Sequence, residues 1–200
     1  MGDESYAHDV FGFTLYRGRD VPKYFLKNYG QVLLADGYGG YNGVVAGNQI
    51  TRAGCWAHVR RKIIYAEKVA PDVAREAIAR IRALYAVEKK ARETTTPERL
   101  QLRQEESAPV LAELREKLLA WKEQLLPKHP MAEAIQCALG QWNELTVFCS
   151  AGAVSIDNNV IELEMKRVVL TRKNNLFVGN AWRDRTAAIL GDSDQHLQPA

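Results

Sequence analysis

Val32-Leu33-Leu34-Ala35-Asp36-Gly37-Tyr38-Gly39-Gly40-Tyr41 is a short apolar run that stops at one carboxylate and then breaks into glycines. Four small or branched apolar residues bounded by turn formers suit a buried strand, covered on both faces as in a parallel or mixed sheet. Such a strand delivers an acid at its carboxyl end, where open α/β sheets gather their ligands. Working outward, Val10 to Tyr16 (VFGFTLY) has strand composition and ends at Arg17-Gly18-Arg19-Asp20. Asp20 to Gly30 reads as a short helix, with a possible N-cap at Asp20, Pro22 in the first turn and Gly30 past the end. Gly37, Gly39, Gly40, Gly43 and Gly47 follow Asp36 and suit close backbone approach better than a helix interior. Gln49 to His58 resumes strand-like content before turning basic. Strand, helix, strand, irregular helix, strand is an α/β order.

From Val59 to about Cys149 the apolar period becomes helical. Val73, Ala77, Ile81, Leu84 and Tyr85 form one stripe, and Leu111, Leu114, Leu118, Trp121 and Leu125 a second. Ile135, Leu139, Trp142 and Leu145 form a third. Thr94 to Glu98 reads as a turn and helix start, and Pro109 either kinks the second helix or begins it after Ser107. Interhelical packing accounts for these stripes. Near the end, Ser155 to Arg167 offers Asp157 or Asn158 as a helix cap, with Glu162 and Lys166 four apart on one face.

Hydrophobic residues at 46% and charged residues at 26% describe a globular chain and exclude a wholly disordered one. No apolar run approaches the roughly 20 residues of a membrane span, and the opening Met1 to Ser5 is acidic rather than signal-like. A cytoplasmic protein is the expectation. Cys55, Cys137 and Cys149 form no CxxC pair, which points to structural thiols. The net charge of +3 conceals an uneven distribution, because residues 51 to 103 hold 13 Lys or Arg against 6 Asp or Glu. That block could attract a polyanion or simply be a solvated helical face.

Asp36 and Glu162 are candidates for a shared site of hard oxygen ligands, suited to magnesium or manganese. Lys166, Arg167, Arg172 and Lys173 would hold phosphates beside it. Spacing alone favours separate structural roles for two acids so far apart. Cys55 and His58 stand near metal-ligand spacing, but a buried Trp56 with a hydrogen-bonded His58 is the simpler reading. Arg60, Arg61 and Lys62 are better placed for phosphate contact, or for a solvated helix start.

Taken in order, LLADGYGGYNGV (33–44), TRAGCWAHVRRK (51–62), the IDNN segment (156–159) with Glu162, and RKNNLFVG (172–179) resemble the insertion sequence 66 family of DDE transposases. The helical segments ARIRALYAVEKKARE, RLQLRQEESAPVL and LPKHPMAEAIQCALGQWNELT look like that family too, so the resemblance covers about residues 6 to 190. It implies a ribonuclease H-like α/β fold with a mixed sheet, its first strand or strands missing here, interrupted by a large all-helical insertion. Residues 1–58 would be the first part of that core, 59–150 the insertion, 151–190 the part bearing the final acid, and 191–200 a disordered tail.

The implied activity is metal-dependent cleavage and strand transfer at the ends of transposon DNA. The cofactor would be Mg2+ or Mn2+ in a two-metal site. The implied partners are double-stranded DNA and other transposase subunits or further copies of the chain, with no membrane. By motif match Asp36 is the second acid of three and Glu162 the third. Asp157, Asn158, Asn159 and His58 stand near the site, orienting Glu162 or contacting DNA. The family's first Asp falls upstream of the region matching Met1, Leu163-Glu164 replaces the usual Arg or Asn then Ala, and Asn175 stands where Trp is usual. The chain is therefore expected to be an internal piece of a transposase and inactive alone, with a remnant that binds DNA or an intact transposase as the alternative.

Overall fold

A computed structural model describes residues 20–37, 41, 45, 49–159, 162, 163 and 166. The chain divides into two compact units. One is Pro22–Asn159, and the other takes Met1–Val21 with Val160–Ala200. The expected strand at Val10 to Tyr16 and the expected tail from 191 lie outside the described residues.

Asp20–Phe25 forms α1, ending before Gly30 in a turn that Leu26 and Tyr29 close by backbone hydrogen bonds. Val32–Ala35 forms β1, as its apolar run requires, and Thr51–Gly54 forms β2. The two pair in parallel, with Val32 opposite Thr51 and Ala35 opposite Gly54. Parallel pairing demands a crossover connection of a dozen or more residues, which the stretch between Asp36 and Ile50 supplies. β1 is less covered than its composition suggests: Ala35 is buried, while Val32, Leu33 and Leu34 are half-buried. Among the described residues β1 has a single strand partner, so its faces lack the flanking layers that bury a central strand.

The remainder of Pro22–Asn159 is helical. α2 spans Trp56–Tyr65 and begins three residues before Val59, so His58 lies in its first turn rather than on a strand. A short 3-10 turn, Glu67–Val69, leads to α3 at Pro71–Lys90, with Pro71 in the first turn where its missing N–H is harmless. Thr95 caps α4 (Thr96–Leu102) through a reciprocal capping box with Glu98. That hydrogen bonding holds the Glu98 carboxyl below the usual carboxylate range.

A π turn, Arg103–Ser107, joins α4 to α5 (Ala108–Gln124). Pro109 has no N–H to donate, and the Ala108 N–H reaches back to the Arg103 carbonyl, so the ladder widens rather than breaks. Ser107 supplies no side-chain cap. The third stripe is divided between α6 (Pro130–Gly140) and α7 (Trp142–Thr146), with a 3-10 turn at Val147–Cys149. None of these helices is long and apolar enough to cross a membrane.

The core is the meeting of the stripes. Trp56, Ile63, Ile81, Leu84, Leu114, Leu118, Met131, Ile135 and Leu145 are all almost wholly buried. Gly54 lies so close to Leu145 that a Cβ there would press on its backbone N–H. Gly152 packs against Thr96, where a Cβ would strike the Thr96 carbonyl.

Arg103 is the exception in this apolar interior, at 1% exposure. Its Nε and Nη2 donate to the Glu88 carboxylate at 2.8 and 2.6 Å, and Nη1 donates to the carbonyls of Phe148 and Ala151 at 2.9 and 3.0 Å. The guanidinium also lies 5.3 Å from the centre of the Phe148 ring. One side chain thus ties α3 to the turn after α7. Arg103→Ala is expected to lower the unfolding free energy by about 3–5 kcal/mol, because it leaves Glu88 buried and unpaired. The loss should appear as a lower urea midpoint at unchanged slope, and adding Glu88→Leu should recover part of it.

Candidate active site and basic face

Asp36 sits one residue beyond β1, half-buried. Since Ala35 pairs with Gly54, the next positions along the two parallel strands are Asp36 and Cys55. Arg52 on β2 reaches across, and its Nη2 donates to the Asp36 backbone carbonyl at 2.6 Å. The strand end is thereby held by a cation acting on its backbone. At Gly37 a Cβ would make ordinary contact with the Gln141 side chain. Close approach therefore does not require glycine at 37, and Gly39, Gly40, Gly43 and Gly47 lie outside the described residues.

The residues after β2 hold the IDNN segment. The first N–H of α2, on Trp56, would be an orphan donor of the helix terminus. It donates instead to the Ile156 carbonyl at 3.1 Å. Beside it the Cys55 thiol donates to Asn158 Oδ1 at 2.9 Å. Burial pushes the Cys55 thiol pKa up, which keeps it the S–H donor this contact needs.

From α3, the Tyr85 hydroxyl donates to Asp157 Oδ2 at 2.6 Å. Asp157 also accepts from the Asn159 backbone N–H at 3.0 Å and from its Nδ2 at 2.7 Å. Ile156, Asp157 and Asn158 are therefore each tied to Cys55, Trp56 or Tyr85. The Asp157 carboxylate caps the start of the helical stretch that carries Glu162. Asn159, Glu162, Leu163 and Lys166 are all helical.

Glu162 is half-buried and Lys166 exposed, both in the second unit. Arg167, Arg172 and Lys173 lie outside the described residues. On α2, Trp56, Ala57, Val59 and Ile63 face the core, His58 is half-buried, and Arg60, Arg61 and Lys62 are exposed together. No group of three or more His, Cys, Asp or Glu among the described residues is arranged to hold a metal ion. Asp157 already accepts three hydrogen bonds, so it is poorly suited to serve as a ligand.

Tyr85, Cys55 and Arg52 were not singled out as site residues from sequence. Tyr85 belongs to the α3 stripe and looks like packing, and a lone cysteine gives no signal of the Asn158 it meets 103 positions later. Arg52 shares a strand motif with no pattern pointing at Asp36.

The family model described as "Transposase IS66 family" matches residues 2–185. Among curated proteins, the uncharacterized protein y4jD of Sinorhizobium fredii (strain NBRC 101917 / NGR234) is 34% identical over 173 residues, covering 82% of this chain and 34% of that protein. The uncharacterized protein y4qI of the same strain is 33% identical over 193 residues, covering 90% of this chain and 35% of that protein. The chain thus spans about a third of the length of these relatives. No solved structure matches it.

Burial and the neighbouring Asp157 carboxylate hold the Tyr85 phenol protonated well above the ordinary tyrosine range. The sign follows from linkage. Below about pH 10 both folded and unfolded phenols are protonated and the stabilisation is complete; above it the unfolded phenol ionises first. Stability is expected to fall as the pH rises past about 10, and Tyr85→Phe should remove this share of the decline when urea midpoints are compared between neutral and alkaline pH.

Proposed function

Because this chain belongs to the IS66 transposase family, we propose that it is part of the catalytic core of a DNA transposase, with Asp36 and Glu162 as two of its metal-binding carboxylates. The observation that carries this reading is the arrangement at the strand ends. Asp36 leaves β1 beside the β2–α2 junction, and that junction anchors the segment leading to Glu162. A ribonuclease H-like core is the fold proposed. It is supported by the parallel pairing of β1 with β2, and by a helical block between β2 and the helix bearing the last acid.

The donor chemistry fits magnesium or manganese, which bind through few carboxylates together with substrate phosphates. Such ions, when bound, activate an attacking hydroxyl and stabilise the leaving oxygen of a phosphodiester. The chain's own residues do the rest. Arg52 fixes the backbone at Asp36, and Asp157 fixes the start of the Glu162 helix. The exposed Arg60, Arg61 and Lys62, with Lys166, are proposed to hold the DNA backbone, and Arg167, Arg172 and Lys173 extend that set in sequence. Double-stranded DNA at transposon ends is the proposed substrate, and further transposase subunits are the proposed partners.

Strand transfer is best assayed on a protein of the relatives' length carrying these residues. Asp36→Asn and Glu162→Gln are each expected to lower its metal-dependent rate by at least about a hundredfold, the effect of removing one electrostatic stabiliser from a reacting centre. Retention of strand transfer by either variant would overturn the assignment. Affinity of the present chain for duplex DNA should fall steeply with salt, and each of Arg60→Ala, Arg61→Ala and Lys62→Ala should reduce the slope of log affinity against log salt by about 1. A flat salt response would remove α2 as the DNA face.

A further inference from the structure

Two side chains outside the carboxylate set hold the segment from which Glu162 departs. Tyr85 comes from the middle of α3 and Cys55 from the end of β2, and they grip adjacent residues, Asp157 at 2.6 Å and Asn158 at 2.9 Å. The third contact, Trp56 N–H to the Ile156 carbonyl, is a backbone bond that any residue at 56 could make. The two side-chain bonds are therefore the ones that depend on residue identity.

Each has a feature that packing alone does not require. Phenylalanine would fill the Tyr85 position equally well, yet the hydroxyl is present and aimed at a carboxylate. Cys55 is buried at 1% exposure, where alanine or valine would satisfy the core, yet its sulfur points at an amide oxygen. Asp157 then passes the constraint on, because its other hydrogen bonds hold both the backbone N–H and the side-chain amide of Asn159, the first helical residue. Glu162 follows Asn159 by three positions, less than one turn.

We propose that Tyr85 and Cys55 are positioning residues, which fix the helix of Glu162 through Asp157 and Asn158 and so set the placement of that carboxylate for the reaction. This rests on the proposed role of Glu162, but the linkage itself does not. The helical block then does more than separate two parts of the core, since α3 holds the carboxylate helix by its first turn.

The test is residue-resolved amide hydrogen exchange on the chain as it stands, at neutral pH, in Tyr85→Phe, Cys55→Ala and Cys55→Ser. Losing one hydrogen bond of ordinary strength is expected to speed exchange at Asn159, Glu162 and Leu163 by about two- to tenfold. The core amides of Ile81 and Leu84 should change by less than about twofold on the same scale. Cys55→Ser keeps a donor toward Asn158 and should restore slow exchange that Cys55→Ala loses, the reverse of what an apolar packing role gives.

Unchanged exchange at Glu162 and Leu163 in both Tyr85→Phe and Cys55→Ala would overturn the proposal. So would equal loosening in Cys55→Ser and Cys55→Ala, or an increase spread evenly over Ile81 and Leu84. The two readings fail separately. If exchange responds as expected while Glu162→Gln leaves strand transfer intact, the linkage stands and the catalytic assignment falls.

Discussion

Trp56 joins three parts of the chain through its two N–H groups. The backbone N–H holds Ile156 at 3.1 Å, and the indole N–H holds the Leu145 carbonyl at 2.8 Å. The ring, with no exposed surface, meets Trp142 edge-on at 5.8 Å and 87°. An indole is amphipathic and must satisfy its N–H when buried. Leu145 provides that acceptor, and Gly54, with no side chain, permits the close approach of β2 to α7. The strand pair, the helical core and the IDNN segment therefore share one junction.

Polar groups inside this core are few, and the side chains that carry them are multiply bonded. Arg103 spends its donors on Glu88 and on carbonyls of the turn after α7, so that the turn's backbone is satisfied away from water. Cys149, nearby, has its thiol pushed up to about 11 by burial. At the other end of the core Tyr85 and Cys55 use the same principle on Asp157 and Asn158. By contrast the ion pairs between α3 and α5, Arg80 with Glu113 and Lys117 with Glu76, lie at the surface and contribute little to stability.

Much of the helical block was legible beforehand. The stripe from Ala77 to Leu84 and that from Leu111 to Leu118 are buried as their spacing requires, and Thr95 with Glu98 forms the anticipated helix start. Local pattern was less informative where two tendencies met. Gln49 to His58 is rich enough in strand formers to hide the point where α2 begins, and only Cys55 turning toward Asn158 marks it. The third stripe read as one helix, but the chain breaks at Gln141 between α6 and α7. β1 was placed correctly and its burial overestimated, since burial depends on neighbouring layers that a four-residue run cannot specify.

For the candidate site the division is sharper. Residue types and their order alone determined the membership: an acid closing an apolar run, an IDNN segment before Glu162, a basic run after CWAH, and with them the family. Those features are local, and local chemistry is written residue by residue. Only the tertiary structure decided that Asp36 and Cys55 end adjacent parallel strands, that Arg52 holds the Asp36 carbonyl, and that Tyr85 grips Asp157 from 72 positions away. Contacts between distant positions arise from how helices and strands pack, and no spacing within one segment encodes them.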